Sequence, residues 1–211
     1  MAICGDWSCV SQAFLSEPSL HVEINRGMSR GFGMDSDSLR LKKLVRTIPN
    51  FPKSGIMFRD ITTLILDPWG FAKTIDLLAS AAFVLKPQKI IGIESRGFVF
   101  GAAVADRLKC GLVLARKKGK LPGPTHEVQY DLEYGTDCIQ IHHDAVKEGE
   151  RCLILDDLLA TGGTAGATAT LVERMGGHVV GCHFVINLPE IGGASKLSRY
   201  NVKWLIDFEG H

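Results

Sequence analysis

Cys152-Leu153-Ile154-Leu155-Asp156-Asp157-Leu158-Leu159-Ala160-Thr161-Gly162-Gly163-Thr164 is the stretch on which the reading of this chain turns. Its first four residues are apolar enough for a buried parallel strand, and two carboxylates, Asp156 and Asp157, follow where such a strand should end. In an open α/β sheet, ligands bind outside the carboxyl ends of the strands. Ala160 to Thr164 then brings small residues, two hydroxyls and two glycines, and leads into a helix-like run from Ala165 to Met175. Glycine lets the backbone approach an anion closely, and the N–H groups that open a helix favour negative charge. The segment reads as a phosphate cradle flanked by carboxylates, suited to a sugar phosphate whose hydroxyls need acceptors. Two nucleotide patterns do not fit: no Lys follows Gly163, as a G-x-x-x-x-G-K-[ST] loop demands, and there is no G-x-G-x-x-G.

Working outward, the same strand–turn–helix–strand order occurs once before. Lys89 to Ile93 is a strand, Glu94-Ser95-Arg96-Gly97 a turn, Phe98 to Leu108 a helix with Gly111 at its exit, and Leu112 to Ala115 the next strand. After the central stretch, Val179 to Ile186 is another buried strand and Val202 to Ile206 a last one. Nearer the start, Leu41, Leu44, Val45 and Ile48 recur at helical spacing behind a Ser36 or Asp37 cap, ending at Pro49 and Pro52. Phe51 to Asp60 reads as a loop entering a short strand, and Asp67-Pro68 opens a second helix with Phe71, Ile75, Leu78, Ala79 and Ala82 along one face. The expectation is an α/β fold: a doubly wound, mainly parallel sheet with flanking helices, forming one domain over 34–211 with a small N-terminal hood at about 34–66. Residues 1–33 lack any sustained period and read as an extension. Lys117 to Gly135, with two prolines, three glycines and no periodicity, reads as a lid over the sheet's carboxyl edge, followed by a short strand in Thr136 to His142.

The totals agree. The 211 residues can bury a sizeable core, and 45% hydrophobic with 22% charged residues is ordinary for a soluble enzyme. A net charge of +1 points to neither nucleic acid nor an anionic membrane. The six cysteines form no C-x-x-C pair and read as reduced residues of a cytoplasmic protein. No apolar run is long enough to span a bilayer, and no secretory signal is expected.

Two further groups carry chemistry. The Glu94–Gly97 turn sets the Ser95 hydroxyl and the Arg96 guanidinium at a strand end, and Arg holds phosphate by planar, bidentate hydrogen bonds. Arg116-Lys117-Lys118-Gly119-Lys120 puts four cations in five positions at the mouth of the lid. A charge run alone is a solvated face; here it opens a segment that can deliver cations on closing.

The ordered string 156–164 closely resembles the phosphoribosyl-pyrophosphate (PRPP) binding motif of the type I phosphoribosyltransferases, in the form seen in the adenine phosphoribosyltransferases. Arg116 to Gly123, Leu132-Glu133-Tyr134-Gly135, Gly55 to Asp60, Phe184 to Leu188 and Gly210-His211 resemble the same group, and the likeness covers roughly residues 37 to 211. It implies Mg²⁺-dependent purine salvage: adenine plus PRPP gives AMP plus pyrophosphate, in a cytoplasmic homodimer. It further implies that Asp156 and Asp157 hold ribose hydroxyls, that Ala160, Thr161, Gly162, Gly163 and Thr164 hold the 5′-phosphate, and that Ser95, Arg96, Arg116 and Lys120 face the pyrophosphate. In that family the Ser95–Arg96 turn often carries a strained non-proline peptide. Glu133 is the implied acid–base residue beside the purine, with Tyr134 covering ribose or base. Main-chain groups near Met57 and Arg59 would read the 6-amino edge, with Phe58 and Leu158 as apolar faces. Mg²⁺ would be carried by substrate oxygens and water, with no direct protein ligand. Two alternatives stay open at this point. One is a xanthine- or guanine-type sister enzyme, because the phosphate motif does not choose a base. The other is a PRPP-sensing regulator on the same fold.

Overall fold

The structure, a computed structural model, describes residues 36–131 and 135–210. The extension at 1–33, Glu133 and Tyr134 lie outside the described residues.

The chain runs α1 (Ser36–Leu44), β1 (Arg46–Pro49), β2 (Met57–Asp60), α2 (Thr62–Leu66), α3 (Pro68–Phe83), β3 (Lys89–Ile93), α4 (Gly97–Leu108), β4 (Gly111–Lys117), β5 (Thr125–Asp131), β6 (Thr136–His142), β7 (Arg151–Leu159), α5 (Gly163–Arg174), β8 (His178–Asn187), a 3-10 turn, α6 (Gly193–Lys196) and β9 (Val202–Asp207). Seven strands form one sheet in the order β5-β6-β4-β3-β7-β8-β9. The five from β4 to β9 are parallel, while β6 and β5 join antiparallel at one edge. This is the expected mainly parallel α/β sheet with flanking helices.

Both faces of the sheet are covered, which explains the unbroken apolar runs of its central strands. Leu153 and Leu155 of β7 pack on one side with Leu41 of α1, Leu78 of α3 and Phe100 of α4. Cys152 and Ile154, alternating with them, pack on the other side with Leu171 of α5 and Ile139 of β6. Asp67 caps α3 by accepting from the Gly70 N–H at 2.7 Å, as its Asp-Pro start requires.

Four local readings are corrected. The first helix stops at Leu44, and Arg46–Pro49 pairs with Met57–Asp60 as a two-stranded ribbon instead. Ile48 precedes a proline and Thr47 and Ile48 are β-branched, so both favour extended backbone. The Thr63 hydroxyl donates to the Leu44 carbonyl at 2.6 Å, satisfying the helix end, and buried Asp60 accepts from Arg46 Nε at 3.0 Å. The exit from α4 is made not by Gly111 but by Lys109, left-handed at φ 56°, with Gly111 already in β4. The central strand does not end at Leu155 but runs on to Leu159. Lastly, the stretch 117–135 is not irregular throughout. Thr125–Asp131 is a strand paired along its length with β6, and between β4 and β5 only Lys118 to Pro124 lie outside strands.

Candidate active site

The site exists because two neighbouring parallel strands end at different heights. β3 pairs with β7 from Lys89 opposite Cys152 to Gly92 opposite Leu155, then turns into α4. β7 continues beyond that point, held on its other side by β8, with Asp156 opposite Phe184 and Leu158 opposite Ile186. Asp156, Asp157 and Leu158 therefore form an overhang, and the chain leaves β3 towards β4 on one side while β7 leads to β8 on the other. A crevice at such a switch point is where open α/β sheets take ligands. The turn of β3 presses against it. A Cβ on Gly97 would meet Asp156 Oδ1 at 2.8 Å and the Leu155 carbonyl at 2.9 Å, so only glycine lets α4 begin there. The Glu94–Ser95 peptide is cis.

A cavity of about 590 Å³ fills the crevice, lined by Ser95, Arg96, Lys120, Asp156, Asp157, Leu158 and Thr164 among others. A recess of about 80 Å³ adjoins it, formed by Ala160, Thr161, Gly162, Gly163 and Thr164 with Ala165 and Phe184. Gly162 precedes α5 in the left-handed conformation, φ 73°, and has no side chain to cap it; the Gly163 N–H donates to Thr161 Oγ1 at 3.4 Å, and Gly163, Thr164 and Ala165, which open the helix, line the recess. A small recess lined by the start of a helix has the elements of an anion cradle. Its back wall is Gly193: a Cβ on Gly162 would lie 2.7 Å from the Gly193 carbonyl oxygen, and one on Gly193 would strike the Ala160 carbonyl.

The electrostatics of the cavity are internally matched. Arg96 Nε lies 2.9 Å from Asp157 Oδ2, and Lys117 Nζ lies 3.0 Å from Asp137 Oδ2. Glu94, its side chain 8% exposed, accepts from Lys120 Nζ, from the Lys117 N–H at 3.0 Å and from Arg116 Nε at 3.3 Å. Burial alone would raise the Glu94 carboxyl, but these donors outweigh it and hold it below the usual range. Asp156 goes the other way: burial first, then the charge of Asp157, push its carboxyl well up, although the Asp157 N–H donates to it at 2.8 Å.

Sequence reasoning placed most of these residues and missed others. Ser95, Arg96, Lys120, Asp156, Asp157, Leu158 and the 160–164 loop meet as expected, and Arg116 is tied to the same cavity through Glu94. Phe58 of the hood does not line it but lies beside it, its ring centroid 5.4 Å from the Arg96 guanidinium. Met57 and Arg59 do not line the cavity; the Arg59 guanidinium donates instead to Thr47 Oγ1 at 2.8 Å and to the carbonyls of Glu209 at 2.8 Å and Gly210 at 2.7 Å. Missed were Glu94, Lys117, Tyr130 and Asp137. The Tyr130 hydroxyl donates to Asp137 Oδ2 at 3.3 Å and lies near Thr164 of the cradle. The alternation of Val128 and Tyr130 with polar neighbours is the period-two signal that would have revealed their strand.

An uncapped helix start beside an acidic strand overhang, with guanidinium and ammonium groups opposite, defines a site for a phosphorylated, hydroxyl-rich sugar. The model of the phosphoribosyl transferase domain matches residues 70–208. The chain is 51% identical to adenine phosphoribosyltransferase of Trichodesmium erythraeum over 170 residues, 81% of this chain and 100% of that one. Among solved structures it is similar to adenine phosphoribosyltransferase of Thermoanaerobacter pseudethanolicus, with a TM-score of 0.79, 48% identity and coverage of 81% of this chain and 99% of that one. It is also similar to the Saccharomyces cerevisiae enzyme, complexed with an imino-altritol bisphosphate and adenine, with a TM-score of 0.74, 39% identity and coverage of 79% and 97%. The chain belongs to the type I phosphoribosyltransferases and, within them, to the adenine phosphoribosyltransferases.

Proposed function

We propose that this chain transfers the 5-phosphoribosyl group of PRPP to adenine, giving AMP and pyrophosphate. The observation that carries the reading is the junction of the 160–164 cradle with the Asp156–Asp157 overhang, opposite Arg96 and Lys120. The 5′-phosphate sits on the cradle, remote binding energy that orients the reacting carbon. Asp156 and Asp157 accept from ribose hydroxyls, and the negative charge held between them favours the cationic character that C1′ gains as its bond to pyrophosphate breaks. Arg96, Arg116 and Lys120 take up the negative charge of the leaving group. Adenine attacks through N9, and Glu133 accepts the proton that its imidazole ring must lose. Leu158 lines the cavity where the base would lie, and Phe58, beside Arg96, offers it a second apolar face.

Mg²⁺ fits this donor set. Among the described residues no cluster of three or more His, Cys, Asp or Glu side chains could cage a metal, yet hard carboxylate oxygens line the cavity. Bound on substrate oxygens, Mg²⁺ would supply charge neutralisation of the leaving group, and Asp156 and Asp157 would hold its waters.

A homodimer is part of this reading. Leu112 and Leu114 alternate along β4, each 38% exposed, and such exposed apolar residues support a second copy. Cytoplasmic work is supported by the free thiols of Cys110, Cys138, Cys152 and Cys182. Among the described residues no helix is long and apolar enough to cross a membrane.

The test is conversion of radiolabelled adenine to AMP, dependent on PRPP and Mg²⁺, with guanine, hypoxanthine and xanthine as competitors. AMP formation unaffected by the 6-oxopurines is expected. Preferential use of a 6-oxopurine would overturn the base assignment, and PRPP binding without turnover would leave a sensor.

A further inference from the structure

Among the described residues, each cation that lines the cavity is already paired with a carboxylate. Arg96 is held by Asp157, Lys117 by Asp137, and Arg116 and Lys120 share Glu94. The last arrangement differs from the others in being a cluster with one acceptor and three donors from a single short segment. Glu94 stands at the end of β3, its carboxylate sunk to 8% exposure. Oε2 is fixed by two donors of β4, the Lys117 N–H at 3.0 Å and Arg116 Nε at 3.3 Å. Oε1 holds the ammonium of Lys120, whose side chain is still 49% exposed. Arg116 also donates from Nη1 to the Lys120 carbonyl at 3.0 Å, which folds the 116–120 turn back over Glu94. Outside, the Gly119 N–H is tied to Gln140 Oε1 at 2.9 Å.

The turn that should hand cations to a pyrophosphate is thus closed on a buried carboxylate. We propose that Glu94 is the resting-state counterion of Arg116 and Lys120, a positioning residue whose hold on Lys120 the incoming pyrophosphate group displaces. Lys120 is the exchangeable partner, being half exposed and bound through one oxygen. The Lys117 N–H and Arg116 stay on Oε2 and keep Glu94 from being stranded as a buried, unpaired charge. The carboxylate thereby stores the cations in place without a substrate. It also competes with pyrophosphate for Lys120, weakening the grip on product and speeding its release.

This inference rests on Lys120 being a pyrophosphate-binding cation, and the experiment separates the two ideas. Calorimetry with Mg²⁺–pyrophosphate is run on wild type, Glu94→Gln and Lys120→Ala, alongside initial-rate and pre-steady-state kinetics. Glu94→Gln keeps an acceptor for the Lys117 N–H but removes the competing charge. It should bind pyrophosphate about tenfold more tightly, the size expected for a charge-assisted hydrogen bond half-screened by solvent. The KM for PRPP should fall with it, while kcat falls and a burst of AMP grows as pyrophosphate release becomes slower. Lys120→Ala should bind pyrophosphate more weakly. If Lys120→Ala binds as well as wild type, the cation reading fails and the latch with it. If Lys120→Ala is weakened but folded Glu94→Gln binds pyrophosphate no better than wild type, the latch alone is overturned. Should the Gln variant not fold, Glu94→Asp decides: its shorter reach releases Lys120 in part, so about threefold tighter binding is expected, and equal or weaker binding overturns the proposal.

Discussion

Gly162→Ala adds one methyl group at the back of the phosphate cradle, and the structure sets what it must cost. Gly162 has φ 73°, a left-handed conformation that disfavours an L side chain by about 1–2 kcal/mol. The new Cβ would sit 2.7 Å from the Gly193 carbonyl oxygen and 3.4 Å from the Gly193 Cα. Because the obstacle is backbone, no side chain can swing aside. Either the Gly192–Gly193 turn or the cradle must move, at about 1–3 kcal/mol by analogy with overpacked interiors. The sum is about 2–5 kcal/mol. The cradle stands at the rim of the sheet, so it can yield locally before the core does. The larger share, at least about 1 kcal/mol, should then appear as lost PRPP affinity of at least about 5-fold, and the smaller as a lower unfolding midpoint. Calorimetric titration with PRPP and urea unfolding read the two separately. A variant with a wild-type midpoint and PRPP affinity within twofold of wild type would refute both the backbone contact and the cradle's role.

Three other outcomes are expected. Glu133→Gln should keep PRPP binding and lower kcat by about 10²- to 10⁴-fold, the range for loss of proton transfer; 7-deaza-adenine should lose little further in that variant, and near-normal kcat at saturation would remove the general-base role. His183 is fully buried on β8 with neither ring nitrogen partnered among the described residues, and burial pulls its imidazole down to about 3. The unfolded ring takes up a proton near pH 6.5 that the folded one refuses, so stability is fully present above that pH and falls as pH drops towards 3, by up to about 1.4 kcal/mol per pH unit; urea titrations of His183→Leu should show a flatter acid limb than wild type, and identical limbs would contradict this. Deleting residues 1–33 should leave turnover within about twofold, since every site residue and the whole periodic core lie beyond them; a tenfold loss would place the segment in the fold or the dimer.

Strings whose meaning is local were readable directly. The Asp67-Pro68 start of α3, the apolar strands around Ile90, Ile154 and Val185, and the Ala160–Thr164 turn each follow from a few adjacent residues. Chain order alone then implied a parallel sheet whose loops gather at one edge. Thus Arg96, Asp156 and Thr164 could be assigned to one site from sequence. What could not be read that way depends on contacts between distant segments. Val45 and Ile48 continue the helical spacing of Leu41 and Leu44, but pairing of Arg46–Pro49 with Met57–Asp60 outweighs a weak helical preference. Thr125–Asp131 carries Pro and Gly at its approach and becomes a strand because β6 offers it a partner along its whole length. Gly193 is far from Gly162 in sequence, yet its carbonyl is the wall that makes glycine necessary there. Glu94 looked like one more turn acid, since nothing adjacent to it announces that Lys117, Arg116 and Lys120 converge on its oxygens. Side-chain type and spacing report an element's own preference, whereas pairing partners, close backbone approaches and the counterion of a buried charge are set only when the sheet assembles.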